Sequence, residues 1–106
     1  MPFYLVTYHG GPGMPQDPAA VQQMVSAFQT WVSEVGSAIR DPGAPLGPAK
    51  TVSAGSVADG QTEAPIGGYT LLETDSLEEA ARLVQSHPFV GRGGALQVSE
   101  AISTGG

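Results

Sequence analysis

Cysteine is absent, which excludes a disulfide framework, a thiolate nucleophile and a cysteine-based metal site. Positive charge is scarce: Arg40, Lys50, Arg82 and Arg92 are the only cations, and the formal net charge is -6. Four scattered cations do not neutralise a phosphate backbone, so no nucleic-acid partner is expected. Long hydrophobic runs are missing as well. Met1 to Val6 is apolar but short and has no basic flank, so neither a signal peptide nor a membrane span is expected, and the chain reads as cytoplasmic. Catalytic signatures are equally thin. His9-Gly10-Gly11-Pro12-Gly13 is glycine-rich but lacks the G-x-x-x-x-G-K-[ST] pattern of a phosphate loop, and no spacing of serine, histidine and acid suggests a hydrolase. No motif dictates a cofactor, and two distant histidines with scattered carboxylates do not define a metal site.

What is present is concentrated in Gly67 to Val90. Gly67-Gly68 opens a strand, Tyr69 to Thr74, rich in β-formers. Ser76-Leu77-Glu78-Glu79 then forms an S-x-x-E capping box, in which Ser76 accepts from the backbone N–H of Glu79 and the Glu79 carboxylate reaches back. Leu77, Ala80, Ala81 and Val84 recur at helical spacing, and Pro88 ends the helix by pushing His87 into extended geometry. Earlier in the chain, Phe3 to Tyr8 reads as a central strand. Asp17-Pro18 starts a longer helix with its stripe at Val21, Met24, Val25, Phe28, Val32 and Val35, and Gly36 ends it in the left-handed region. Ser37 to Lys50, broken by proline and glycine, reads as an ordered surface loop, and Thr51 to Val57 as a weak or edge strand. Arg92-Gly93-Gly94 is a turn before a last, alternating strand, Ala95 to Ile102.

The order β-α-β-β-α-β is the ferredoxin-like pattern: an α+β fold with two helices on one face of a four-stranded antiparallel sheet. Residues 1–106 are expected to form one domain. Phe3, Leu5, Tyr69 and Leu71 share one strand parity while Tyr4, Val6, Tyr8 and Leu72 share the other, so neither sheet face is plainly polar. Because two helices cover one face only, a homodimer with facing sheets is expected.

The segments YLVTYHGG (Tyr4 to Gly11), DPGAPLGPAKTVS (Asp41 to Ser53), GGYTLLETDSLEEAARL (Gly67 to Leu83) and GGALQVSEAI (Gly93 to Ile102) resemble the YCII-related, or DGPF-domain, family of small dimeric α/β-barrel proteins. The Asp-Gly-Pro-Phe segment itself is replaced by Glu63-Ala64-Pro65-Ile66. The resemblance implies a ferredoxin-like fold, a dimer, and polar residues at the positions of His9, Asp41 and His87, with an enzymatic role suspected in some members.

Four residues are candidates for acid–base chemistry. His9 lies beside the glycine-rich loop. His87 lies at a helix C-terminus, where the macrodipole favours a cationic imidazole. Asp41, before Pro42-Gly43, reads first as a turn residue whose carboxylate bonds backbone two residues on. Glu73 is a carboxylate in an otherwise apolar strand and needs an edge, a partner or a raised pKa. Trp31, one position off the helix stripe, reads as core margin or pocket wall. Together with Lys50 and Tyr69 it is a candidate for substrate contact. The first and third strands, the central adjacent pair of this pattern, are expected to run in the same direction, which brings His9 and Glu73 together at their far ends as the likeliest chemical neighbours. Two functions follow from these residues: binding of a small organic molecule between sheet and helices, with possible acid–base chemistry, or a non-catalytic dimeric interaction module.

Overall fold

A computed structural model describes residues 2–11 and 15–103; the Pro12-Gly13 end of the glycine-rich loop and the C-terminal Gly105-Gly106 lie outside them. The elements are β1 (Phe3–Gly10), α1 (Pro18–Val35), a 3₁₀ turn (Gly36–Ala38), β2 (Ile39–Pro45), β3 (Lys50–Ser53), β4 (Ser56–Asp59), β5 (Gly68–Glu73), α2 (Leu77–Val84), α3 (Pro88–Gly91) and β6 (Gly94–Glu100). One sheet has the order β2-β5-β1-β6 with every neighbouring pair antiparallel, and β3 and β4 form a separate two-stranded sheet. The four-stranded sheet with helices packed on one face is the ferredoxin-like α+β architecture that the pattern implies.

Local chemistry explains the helices. Asp17 stands at the N-cap of α1 in extended geometry with Pro18 at the first helical position, but among the described residues its carboxylate bonds no backbone N–H of the first turn. Gly36 closes α1 at φ +69°, and its N–H donates to the Val32 carbonyl. In α2 the Ser76 hydroxyl accepts from the Glu79 N–H at 3.1 Å, whereas the Glu79 carboxylate turns away and pairs with Arg82 one turn along. Only half of the capping box forms, because a guanidinium offers a carboxylate more than one distant N–H does. Pro88 sits at the first position of the short α3 and His87, at ψ 134°, is its N-cap.

The second strand of the sheet differs from the sequence reading. The Ser37 to Lys50 segment carries β2, which pairs with β5 along the sheet edge, while Thr51 to Val57 belongs to the hairpin. Proline is tolerated at an edge and at bulges, and the β2 register shifts between Ile39 and Asp41 and again between Asp41 and Ala44. Gly43 makes the second shift possible. It holds φ +75°, and a Cβ there would stand 1.7 Å from the Tyr69 carbonyl oxygen.

Alternation along the strands separates the two faces. Tyr4, Val6 and Leu72 point to the helices and form the core with Trp31, Ala80 and Val84. Trp31 is the buried residue of α1 at 2% exposure, at the centre of the core and not its margin. The stripe Val21, Met24, Phe28, Val32 and Val35 does turn inward, Val25 is exposed, and Trp31 joins that face. On the opposite face lie Phe3, Leu5, Tyr69, Leu71 and Glu73, as the pairs Phe3–Glu73, Leu5–Leu71 and Thr7–Tyr69 require. No helix among the described residues is long and apolar enough to cross a membrane.

Candidate functional site

Polar groups gather on the helix side of the sheet, at the end where β1 finishes. The His87 ring is 4% exposed, with Trp31 at 4.5 Å, Tyr8 at 5.0 Å in edge-on geometry and Phe28 at 5.6 Å between ring centroids. Phe89 lies 5.2 Å from Tyr8 and fits into the space left by Gly94, where a Cβ would fall 2.1 Å from its ring. The Trp31 indole donates to the Leu83 carbonyl at 3.0 Å, which fixes the wall behind His87.

The hydrogen positions in this cluster follow from valence. The Phe89 backbone N–H donates to His87 Nδ1 at 3.0 Å, so that nitrogen carries no proton. The proton of the neutral ring is therefore on Nε2, which donates to the Tyr8 hydroxyl at 2.6 Å. Tyr8 donates in turn to the Thr70 hydroxyl at 2.8 Å, and Thr70 donates to the Pro42 carbonyl at 2.8 Å. A backbone N–H that only donates stands at one end and a backbone carbonyl that only accepts at the other. The chain of bonds thus has one direction and connects α3, the central strands and the β2 bulge.

Burial sets the charge state. Desolvation lowers the His87 pKa from 6.5 to about 4, so the ring is neutral at neutral pH, and the cationic imidazole suggested by its place after a helix does not form. The ring caps α3, and a second ring proton would meet the Phe89 N–H. Burial also raises the Tyr8 phenol, partly offset by the Thr70 hydrogen bond.

The other residues singled out in the sequence are dispersed. His9 lies within β1 on the opposite sheet face, where its Nδ1–H donates to the Pro65 carbonyl at 3.2 Å and its Nε2 accepts from Thr7 at 2.8 Å. Glu73 is at the other end of the sheet. β1 and β5 are antiparallel, and the register sets Glu73 opposite Phe3 and Gly68 opposite Tyr8, so His9 and Glu73 are not neighbours. Any split β-α-β arrangement with this strand order makes the two central strands antiparallel, which corrects the shared direction assumed from sequence. Glu73 faces Arg40 at 3.5 Å. Asp41 accepts from the Gly43 N–H at 2.9 Å, the turn role read for it. Lys50 pairs across the hairpin with Asp59, and Tyr69 lies opposite Thr7 on the outer face.

Of the seven residues, only His87 and Trp31 share a cluster. Tyr8, Thr70 and Phe89 complete it, and sequence reasoning passed over them. Strand parity was the available signal: Tyr8 and Thr70 share the parity of the core residues Val6 and Leu72, and a hydroxyl turned into a core needs a partner. Two shallow surface concavities, one on α1 at Gln29 and Ser33 and one at the hairpin base near Pro48 and Lys50, do not touch the cluster.

Fold and site together define a ferredoxin-like α+β protein with a neutral, aromatic-walled polar cluster between sheet and helices. No protein-family model and no curated protein matches the chain. Among solved structures it is similar to 5-chloro-2-hydroxyhydroquinone dehydrochlorinase (TftG) from Burkholderia phenoliruptrix AC1100, determined in complex with 2,5-dihydroxybenzoquinone, at 17% sequence identity and a TM-score of 0.52 over 90% of each chain. At that identity the likeness is one of fold.

Proposed function

We propose that this protein binds a small, planar, uncharged organic molecule in the layer between sheet and helices, beside Tyr8 and Phe89. The observation that carries this reading is the convergence of His87, Tyr8 and Thr70 behind a half-buried aromatic wall. An uncharged ring suits a site whose histidine is neutral. The fixed direction of the hydrogen bonds makes this a binding site first. Moving a proton along it breaks the bond at one of its backbone ends. His9, Asp41 and Glu73 stay outside the proposed site. The fold neighbour, whose structure contains a dihydroxybenzoquinone, supports a ring-shaped ligand, and membership of the YCII-related family is part of the same proposal.

Trp31, the single tryptophan, stands against His87 and reports on the site. Titration with hydroquinone, a planar ring that is uncharged at neutral pH, is expected to change its emission saturably. Phe89→Ala, which removes the outer wall, is expected to weaken binding by about tenfold, the loss of one aromatic contact. Equal affinity in wild type and Phe89→Ala, or no saturable change at millimolar ligand, would remove the site.

A second reading rests on the bare sheet face. Phe3 and Leu5 are exposed there beside Leu71 and Tyr69, and we infer that a second copy covers them in a homodimer. Should the titration fail while the dimer stands, a non-catalytic dimeric interaction module becomes the function.

A further inference from the structure

The β3–β4 hairpin stands apart from the rest of the fold. Among the described residues its strands pair only with each other. Val52 and Val57 face each other in register and are 73% and 64% exposed. The register is held by polar contacts at the base: Lys50 pairs with Asp59, and the Thr51 hydroxyl donates to the Gly60 carbonyl at 2.9 Å. The hairpin thus has a defined shape and an apolar pair with no cover from its own chain. A lone two-stranded hairpin is marginal in water, and one cross-strand pair contributes only about 0.2–1 kcal/mol.

The dimensions point the same way. The radius of gyration is 15.1 Å and the extents are 45 × 45 × 19 Å. A compact chain of this length has a radius near ~13 Å. The molecule is a thin plate with a projection, not a ball.

We propose that the hairpin is an arm that closes over a second copy of this chain, placing Val52 and Val57 against the partner, so that each copy gives one arm and receives one. The inference rests on the dimer reading above and adds the element that completes it. Area supports a second copy as the occupant. Four strands about 4.8 Å apart, each with about six residues at ~3.4 Å, cover about 400 Å² in projection, roughly half of the ~800 Å² per partner of a stable interface. The arm supplies further surface and springs from β2, the edge strand of that same sheet. Charge agrees. Lys50 and Asp59 cancel, so the arm approaches a copy of net charge -6 without added repulsion, and it offers nothing to a strongly charged partner.

Because the chain has no cysteine, Val57→Cys provides a single attachment point for a benzophenone maleimide. Labelled protein is mixed with isotopically heavy, unlabelled protein, left to exchange, irradiated and mapped by mass spectrometry. Light–heavy crosslinks from the arm to a second copy are expected, and crosslinks confined to the arm's own chain would overturn the proposal. Sedimentation equilibrium of the Val52→Ser, Val57→Ser double variant is read in parallel. Its dimer dissociation constant is expected to rise about tenfold or more, from the lost burial of the valines, with an unchanged circular dichroism spectrum. An unchanged constant overturns the arm and leaves the dimer intact. A wild-type chain that stays monomeric at high micromolar concentration overturns the dimer and the arm with it.

Discussion

His87 shows how far one residue's behaviour is decided by its surroundings. In the unfolded chain it takes up a proton near pH 6.5, and in the folded protein only near about 4, so between those values the unfolded state binds more protons. Stability is therefore fully present above about pH 6.5 and declines as pH falls towards about 4, by an amount on the order of 2 to 3 kcal/mol. Urea midpoints of wild type and His87→Gln, compared between about pH 7 and about pH 4.5, are expected to converge or cross as the acid limit is approached, since the variant lacks this dependence. Parallel pH profiles would show that His87 is not buried as a neutral ring. The sequence located this histidine and its extended backbone before Pro88, but not its charge. A pKa is set by what surrounds the ring, and Trp31, Phe28 and Tyr8 come from elements far away in the chain.

Among the elements, the strand at Tyr69 to Glu73 and the helix at Leu77 to Val84 were legible because their signals are local: β-formers, a cap three residues from its partner, an apolar stripe. β2 was hidden because an edge strand with two bulges has no regular alternation. Its signature, Asp41-Pro42-Gly43, is that of a turn, and Asp41 and Gly43 do act as in a turn, with Asp41 accepting from the Gly43 N–H and Gly43 at positive φ. What makes the segment a strand is the neighbouring β5, which supplies the ladder and accepts the close approach at Gly43. Gly43→Ala is expected to destabilise the protein by about 2–4 kcal/mol, combining a left-handed backbone that disfavours a side chain with a clash against the Tyr69 carbonyl. Chemical denaturation measures the loss, and a change below about 0.5 kcal/mol would mean that the bulge relaxes at little cost. Because Thr70 donates to the Pro42 carbonyl, the same substitution should also disturb the Tyr8–His87 end of the bonded chain.

For the whole molecule, the decisive property is that a single sheet carries apolar residues on both faces and helices on one. If a second copy covers the outer face, Leu5→Asp places a carboxylate in the middle of it and is expected to yield a folded monomer, since Leu5 points away from the core of its own chain. Sedimentation checks this, and a persistent dimer would put the interface elsewhere. The sequence by itself determined the β-α-β-β-α-β order and the ferredoxin-like pattern it composes, the Ser76 cap of α2 and the apolar character of both sheet faces, but not the place of the second strand or the full capping box. What it determined follows from interactions spanning a few residues and from alternation with a fixed period. The tertiary structure alone decided which carboxylate meets which cation, that His9 and His87 lie on opposite faces of the sheet, that Glu73 is at the far end from His9, and that Tyr8 and Thr70 complete the cluster around His87. Those are relations between residues dozens of positions apart, and they depend on strand direction and register, which become fixed only when the whole sheet forms.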